Sequence, residues 1–563
     1  MSKSVGKSSL IMGMGTLASR LTGQIRTILL VAAIGSYGQI ADAFDIANNV
    51  PTSLNLILTG GIFNAVLLPQ IVKFRTQKNK AKSQEQINKL LTFAGSIVFL
   101  VTLLLTLLTP LIIRLIANTN WGQDQINLAI TFGFWCMPQV FFYGMYTILG
   151  NILQSEEKFG IFSLAPILNN IISIIIFTIF IILTGGFGVF PATIQSMTPG
   201  LIVLLAGGAT LGIAAQAAIL IIPLLKSGFK FKFIFSLHGF GLRQISKLCF
   251  WTFWMVMIEQ VASLFYVHLC SGAPEAAAKL GQDPLQIGGN AAYSNAMIIY
   301  IIPQSLITIS LMTALFTKIS QAVSKNQTNQ VISFLIKGCT SIIALITPFI
   351  AILVVLGEPL SKALIPTLDK TGQNFVSLGV ISLSLMLIPT GVFSMFTRAF
   401  FAYQKTHILT FIEIPEHLLT MLIAFLATLF FQPKDWLFAV GLCRSVGAWI
   451  FMFVIILIAR KFLFKKSISE SKIYSSIIRC VLAGIISALT GVAFGNLIFK
   501  HLLSSLGQTG GWLYSVFVCF LIGTIMLIVY VIMAYIFRVQ EIQNYITLFK
   551  NKLFNAKKNN REK

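Results

Sequence analysis

The chain has 563 residues, of which 56% are hydrophobic and only 10% are charged, and its mean hydropathy is +0.85. Soluble domains carry about 25% charged residues, so this composition excludes a soluble protein and predicts an all-α polytopic membrane protein. The net charge of +24 does not indicate nucleic-acid binding, because the lysines and arginines lie mostly between apolar stretches, where they orient the protein and contact anionic membrane lipids.

Fourteen apolar stretches of about 20 residues or more follow one another along the chain, and each is long enough to cross a membrane as a helix. The basic segment before the first stretch lacks a cleavage site after it, so we interpret that stretch as a retained helix. The predicted spans are 8–35, 44–72, 90–117, 125–152, 161–184, 199–225, 242–271, 290–319, 330–356, 375–400, 406–431, 436–459, 474–499 and 512–537.

Cations are concentrated after even-numbered spans, in the loops that follow spans two, six and twelve and in the tail after span fourteen. Loops after odd-numbered spans are poorer in cations and hold acids such as Asp124, Glu358 and Asp369. Arg114 and Lys362 are exceptions, at positions from which a long side chain reaches the interface. By the positive-inside rule, this asymmetry predicts that both termini are cytoplasmic.

The two halves of the chain resemble each other, which predicts two lobes of six helices each. The segment from Met137 to Pro166 is similar to the segment from Ile388 to Pro415, although proline-bearing apolar helices can also be alike by chance. Parallel repeats of this kind rock about their interface in secondary transporters. The expected domains are an N-lobe at 1–225, a C-lobe at 226–466, two appended helices at 467–540 and a basic cytoplasmic tail at 541–563.

Arg20 and Arg26 lie inside the first predicted span. A guanidinium at bilayer depth costs at least ~2.5–3.5 kcal/mol, so it persists where it faces a polar cavity or an anionic partner. On a helix that begins near Ser8, Arg20 lies roughly 18 Å along the axis, and Arg26 is about 120° around it from Arg20. Gly23, between them, permits close approach of a helix or a large ligand. The pattern predicts that this helix forms one wall of an anion-binding cavity. The alternative is that the two arginines pair with carboxylates or extend to the membrane interface.

Span two begins near Asp42, which could orient an arginine or act as a gate between two states. The alternative is an ordinary aspartate that is stabilised by the helix dipole. A polar stripe follows along the same span, and it either lines a cavity or supplies hydrogen bonds between helices. The stripe consists of Asn48, Asn49, Thr52, Asn55 and Thr59.

In the second half, Glu259 lies in span seven, and Glu413, Glu416 and His417 lie on one face of span eleven. These groups could couple transport to an ion or a proton, or they could form a structural or interfacial network.

The chain has no HExxH pattern, no Walker A sequence and seven isolated cysteines, so no metal site, ATP hydrolysis or disulfide framework is expected. We therefore expect a transporter without a cofactor, apart from a possible coupling cation, and not an enzyme.

Specific motifs in the first two spans resemble the MurJ/MviN family of lipid II flippases, within the multidrug/oligosaccharidyl-lipid/polysaccharide exporter superfamily. The motifs are Ser19-Arg20-Leu21-Thr22-Gly23-Gln24-Ile25-Arg26, Ala41-Asp42-Ala43-Phe44, Pro51 and Gly60-Gly61-Ile62-Phe63-Asn64-Ala65-Val66-Leu67-Leu68-Pro69. The fourteen-span layout extends the resemblance, less specifically, over essentially the whole chain.

The resemblance implies a V-shaped fold with a central cationic cavity, and movement of lipid II from the cytoplasmic to the outer leaflet of a bacterial plasma membrane by alternating access. It implies that Arg20 and Arg26 are cavity arginines with Asp42 as their acidic partner, and that spans thirteen and fourteen form a groove for the lipid tail. Ser19, Gly23, Asn49 and Asn55 are the further positions at which we expect substrate contact.

Two positions depart from the family pattern: Asn55 and Ile298 stand where many members have arginines. The predicted cavity is therefore sparser in cations, and other basic residues are needed to compensate. A related polysaccharide-lipid or multidrug exporter is the alternative within transport. A membrane scaffold that binds cell-wall synthases is the alternative outside transport, and such synthases are also possible partners of a flippase.

Overall fold

The computed structural model describes residues 2–58, 71, 80–155, 159–186, 193–226, 229, 231–235, 242–464, 470–501, 511–544 and 546–547. Over these residues the chain is almost entirely helical and has no β-strand, which confirms the all-α prediction. The helices are α1 Ser2–Ile34, α2 Gln39–Leu58, α3 Lys80–Leu107, α4 Thr109–Ile116, α5 Gln123–Cys136, α6 Gln139–Ser155, α7 Phe159–Leu183, α8 Pro199–Ile202, α9 Gly208–Ala218, α10 Ile221–Lys226, α11 Leu242–Ser271, α12 Ala273–Lys279, α13 Asn290–Pro303, α14 Ser310–Ser324, α15 Thr328–Val355, α16 Gly357–Leu364, α17 Lys370–Ser384, α18 Leu387–Ala402, α19 Thr406–Phe430, α20 Trp436–Ala459, α21 Glu470–His501 and α22 Trp512–Ile536.

Predicted spans three to fourteen each coincide with a helix, or a run of helices, that is long and apolar enough to cross a membrane. The described residues contain eleven such segments, and α17 and α18, which are bent by 47° at their junction, make a twelfth if they form one span. Helices α1 and α2 occupy the first two predicted spans but are not among these segments, so the count of fourteen stays a prediction. The motif at 60–69 lies outside the described residues, as does most of the basic tail.

The contacts between residues divide the chain into two compact units. The division places α11, the predicted seventh span, in the first unit. The boundary between the two units falls inside α13. The lobe boundaries expected from the sequence stay a prediction. Unit one consists of Met1–Ser294, Thr367–Gly372 and Thr428–Trp436, and unit two consists of Asn295–Pro366, Gln373–Ala427 and Leu437–Lys563.

In unit one, α1 packs against α7, and α2 packs against α5, α6 and α11. The α2–α5 contact includes an edge-to-face pair, in which the ring centroids of Phe44 and Phe132 are 5.5 Å apart. The short link from α1 to α2 turns through Gly35 and Gly38, whose φ angles of +86° and +99° favour glycine. Within this link, Tyr37 donates a hydrogen bond to Asp369 at 2.7 Å, and burial together with this bond raises the pKa of Tyr37 to about 12.

The end of α11 is bound to the loop that follows α4, and this explains why α11 belongs to unit one. The indole N–H of Trp121 donates to the Ser271 carbonyl at 2.7 Å, and the Asn118 amide N–H donates to the Ser271 hydroxyl at 3.2 Å. The Asn118 side chain also donates to the His268 carbonyl at 3.3 Å. These bonds satisfy the terminal carbonyls of α11, which have no partner within their own helix.

In unit two, α15 is the central helix, because it packs against α14, α18, α21 and α22. Leu356, Ile522 and Met526 are buried together where α22 meets the end of α15. Pro348 lies inside α15 and has no N–H, so the Ala344 carbonyl lacks its usual helical donor. The Tyr530 hydroxyl of α22 donates to that carbonyl at 2.7 Å and replaces the missing bond.

The same arrangement is present in unit one. Pro166 lies inside α7, so the Phe162 carbonyl lacks its helical donor, and the Tyr146 hydroxyl of α6 donates to it at 3.1 Å. The rings of Tyr146 and Phe162 are stacked, with centroids 5.2 Å apart. In both units, therefore, an aromatic hydroxyl from a neighbouring helix compensates for a proline.

We predict that Tyr530→Phe lowers the free energy of unfolding by about 1 kcal/mol, because it leaves the Ala344 carbonyl buried without its donor. The loss should be much smaller in a Pro348→Ala background, since the alanine N–H restores the helical bond. Denaturation in mixed detergent micelles would measure both values. Tyr535→Phe, at a 51% exposed position of α22, is the control. Equal losses in the two backgrounds would show that the hydroxyl does not serve the proline.

Candidate functional site

The stripe of α1 that contains Ser19, Thr22 and Gly23 packs against α7. The Asn170 side chain of α7 donates to the Ser19 carbonyl at 2.9 Å and to the Thr22 hydroxyl at 3.0 Å. A β-carbon at Gly23 would lie 3.5 Å from the Asn170 side-chain nitrogen, which is ordinary contact. The structure thus uses Ser19 and Gly23 for helix packing, and their contact with substrate stays a prediction.

Arg26 lies one turn beyond Thr22 and Gly23 on the same stripe of α1, and Arg20 lies about 120° around the helix from Arg26. The Arg20 side chain is exposed, whereas Arg26 is partly buried. Arg26 interacts electrostatically with the hydroxyl of Tyr143 on α6, and Tyr143 hydrogen-bonds to Thr52 on α2. Arg26 therefore lies beside a polar group contributed by two other helices. Tyr143 was not predicted, because its distance from Arg26 depends on the packing of α1 against α6.

Asp42 is buried and binds the first turn of α13. Its carboxylate accepts a hydrogen bond from the Ala291 amide at 2.8 Å, and its carbonyl accepts one from the Asn290 side chain at 3.0 Å. The first amides of a helix have no partner within it and carry a partial positive charge, so a carboxylate is favoured there. A β-carbon at Gly289 would collide with the Asp42 carboxylate, so this close approach requires glycine.

One turn further along α2, Asp45 extends the same network. Its carboxylate accepts from the Asn290 side chain and the Ser294 hydroxyl, both at 2.9 Å, and from Asn49 at 2.7 Å. Asn49 thus belongs to an acidic network between α2 and α13. Asp45, Asn290 and Ser294 were not predicted. The spacing to Asp42 could have revealed Asp45, but the other two lie about 245 residues away in sequence.

The structure places two other predicted site residues apart from this network. Asn55 is partly buried in α2, roughly 20 Å along the helix from Asp42. Glu259 is exposed on α11. Substrate contact by Asn55 and ion coupling by Glu259 both stay predictions.

In unit two, Arg444 lies partly buried near the middle of α20. Its guanidinium donates to the Met297 sulfur at 3.5 Å and interacts electrostatically with His417 and Tyr300. Met297 precedes Ile298, the position at which the family pattern has an arginine. Arg444 was missed in the sequence, although the test that selected Arg20, a guanidinium inside an apolar span, applies to it equally.

The span-eleven acids lie on the same helix as His417. Glu413 is buried, and Glu416 is partly buried, with its carbonyl accepting a hydrogen bond from Thr420 at 2.8 Å. Among the described residues, no group of three or more His, Cys, Asp or Glu side chains is placed to hold a metal ion. A coupling site at Glu413, Glu416 and His417 stays a prediction.

A family model described as lipid II flippase MurJ matches residues 31–506. The chain belongs to this family. The match covers the Asp42 network, α13 and Arg444, whereas Arg20 and Arg26 lie before its first residue. The interaction of Arg26 with Tyr143 therefore rests on the structure and not on the family match.

Curated relatives in the same family are distant in sequence. A probable lipid II flippase MurJ of Haemophilus influenzae is 29% identical over 169 residues, which are 28% of this chain and 32% of that protein. One of Borreliella burgdorferi is 24% identical over 346 residues, 61% of each chain. The alignable part thus spans about a third and about three fifths of these two relatives.

Solved structures agree on the fold. A lipid II flippase MurJ in an inward closed conformation superposes with a TM-score of 0.69 at 18% identity, over 94% of this chain and 99% of that chain. An inward-facing multidrug resistance MATE family transporter of the MOP superfamily gives 0.56 at 15% identity, over 77% of this chain and 97% of that chain. The chain therefore has the exporter fold that the sequence predicted.

Proposed function

We propose that this protein flips lipid II from the cytoplasmic to the outer leaflet of the bacterial plasma membrane by alternating access. Family membership supports the substrate, and the observation that carries the proposal is the arginine pair of α1, in which Arg20 is exposed and Arg26 lies beside the Tyr143 hydroxyl. A diphosphate has about two negative charges and accepts bidentate guanidinium contacts. The lipid tail stays in the bilayer while the head group crosses, so the protein acts as a transporter and not as an enzyme.

Arg444 is the second element of the proposal. Its contact with Met297 puts a guanidinium next to Ile298, the position that lacks the arginine of the family pattern. The thioether is a weak hydrogen-bond acceptor, so a phosphate oxygen would be a stronger partner for the same N–H. We propose that Arg444 supplies in unit two the cation that residue 298 does not.

The third element of the proposal is that Asp42 acts as a gate. Its carboxylate binds free amides at the start of α13, and these bonds can form or break without disrupting either helix. Such a contact stabilises one of two states and makes the other accessible when it opens. The basic loops support the proposal that both termini are cytoplasmic. The proposal names no coupling ion and no cell-wall synthase partner.

We predict that Arg20→Ala and Arg26→Ala each slow flipping of labelled lipid II in reconstituted vesicles by about tenfold or more, because one charge-assisted contact to the diphosphate is lost. Arg20→Lys and Arg26→Lys should be intermediate, since lysine keeps the charge but not the bidentate geometry. Arg114→Ala, at an exposed position, should leave the rate unchanged. A membrane scaffold would tolerate every one of these substitutions.

For Arg444, we expect Arg444→Ala to weaken lipid II binding to the purified protein and Arg444→Lys to restore part of it. Adding Ile298→Arg to Arg444→Ala should recover part of the binding, because it returns a cation to the same turn of α13, about 100° around the helix from Met297. Equilibrium binding of fluorescent lipid II measures all three variants. Unchanged affinity in Arg444→Ala would remove Arg444 from the substrate site.

For the gate, Asp42→Asn and Gly289→Ala should both reduce flipping by roughly tenfold, the first by weakening the carboxylate–amide bond and the second by blocking the approach. Lipid II binding should change less than the rate, since neither residue contacts the diphosphate. Asp124→Asn, an exposed aspartate at the start of α5, is the matched control. Normal flipping by Asp42→Asn would refute the gate.

A further inference from the structure

Unit one contains an apolar cavity of about 840 Å³ that is separate from the arginine pair and the Asp42 network. It lies between α3, α6, α10 and the described residues 229 and 231–235, which belong to no helix. Among the residues that line it, only Thr92 and Ser96 have polar side chains. Its volume is within the range of roughly 300–1,000 Å³ that is typical of ligand sites, and its lining suits a hydrocarbon ligand.

One wall of the cavity is a phenylalanine strap, which we define as the described residues 229 and 231–235. Successive side chains of an extended chain point to opposite sides, so alternate residues share a face. The alternate residues here are Phe229, Phe231, Phe233 and Phe235, and all four line the cavity. Lys232 lies between Phe231 and Phe233 and is exposed, so its long side chain can extend to the head-group level beside the apolar face.

The strap is attached to the helices at two points. The Ile234 amide donates to the buried Thr92 hydroxyl at 3.2 Å, and the Phe229 amide donates to the Leu224 carbonyl at 3.3 Å. Extended backbone is not tolerated in contact with the hydrocarbon of a membrane, because its polar groups need partners. The strap is therefore expected at the level of the lipid head groups, where it covers the cavity from the aqueous side.

The rings of the strap leave a large apolar surface that requires an occupant. Phe231, Phe233 and Phe235 are 58%, 74% and 61% exposed. Contiguous apolar surface of this kind marks a lipid or protein contact. Because the same rings line a deep cavity, a chain that enters the cavity would cover them, whereas a flat protein surface would not.

Two exposed lysines are next in sequence to residues that line the cavity, and they indicate the charge of the ligand. Lys226 ends α10, and Lys232 lies in the strap. They follow the sixth span, on the side where the basic loops predict the cytoplasm, and the cytoplasmic leaflet carries anionic lipids.

We infer that the strap, α3, α6 and α10 bind the acyl chain of an anionic glycerophospholipid of the cytoplasmic leaflet, with its phosphate at Lys226 and Lys232. This lipid is a bound structural ligand and not the transported substrate. It holds the strap against α3, where the Ile234 amide binds Thr92.

Native mass spectrometry of the detergent-purified chain tests this, with phosphatidylglycerol and phosphatidylcholine of identical acyl chains added in equal amounts. The wild-type protein should retain the anionic lipid several-fold more than the neutral one. The double variant Lys226→Gln/Lys232→Gln should lose that preference. Lys325→Gln, an exposed lysine of unit two, should keep it. Equal retention of the two lipids by the wild type would overturn the anionic assignment.

A second pair of variants blocks the cavity. A β-carbon at Gly95 would meet only the Met145 sulfur, at 3.9 Å, so Gly95→Leu fits the helix and extends into the cavity. Gly95→Leu and Ser96→Phe should both abolish retention, while Phe520→Ala, at a 75% exposed position elsewhere, should not. Far-UV circular dichroism and monodisperse elution would confirm that the variants are folded. Full retention by folded Gly95→Leu would overturn the site.

A photoreactive lipid locates the site independently of any substitution. Phosphatidylglycerol with a diazirine on its acyl chain should label peptides from α3 or the strap, and labelling confined to other helices would overturn the assignment. Stronger labelling there by a photoreactive polyprenyl diphosphate would identify the transported lipid as the occupant instead. Arg20→Ala should retain phosphatidylglycerol normally, so failure of the flippase proposal and failure of this one are distinguishable.

Discussion

The need to satisfy every backbone polar group without water determines how these helices pack. Each proline inside a span removes an N–H and leaves a carbonyl that must find a donor on another helix. Tyr146 and Tyr530 supply two such donors, and the Trp449 indole supplies a third, to the Leu385 carbonyl at 3.1 Å, four residues before Pro389. Prolines that would weaken isolated helices thus specify which helices are neighbours.

The same requirement governs the polar side chains. Asp42 is stable in a buried position because the first amides of α13 have no partner within α13 and donate to its carboxylate. The Asn170 side chain is likewise satisfied by another helix, since it donates to the Ser19 carbonyl of α1. Arg20 and Arg444 add positive charge, the first in a predicted span and the second in a helix long and apolar enough to cross a membrane. A molecule that keeps such charges at a cost of a few kcal/mol has a use for them, and an anionic lipid head group is the use that the family and the geometry support best.

Hydropathy and loop charge predicted the helical class and located spans three to fourteen, because long apolar runs have few alternatives in a bilayer. The resemblance supplied the family, which a match over residues 31–506 confirmed. Local patterns could not reveal Asn290 or Ser294 as partners of Asp45, since tertiary packing alone brings them together. Arg444 could have been found by the same energetic criterion as Arg20, because it is a guanidinium inside an apolar span.

The bond from Tyr530 to the Ala344 carbonyl also restricts relative sliding of α15 and α22. A shift of one helical turn would leave the Ala344 carbonyl without a hydrogen bond in an apolar interior, because Pro348 has no N–H that could donate to it. The bond therefore favours the observed register of spans nine and fourteen, together with the buried contact of Leu356, Ile522 and Met526. A rearrangement of unit two that keeps this bond moves α22 together with α15.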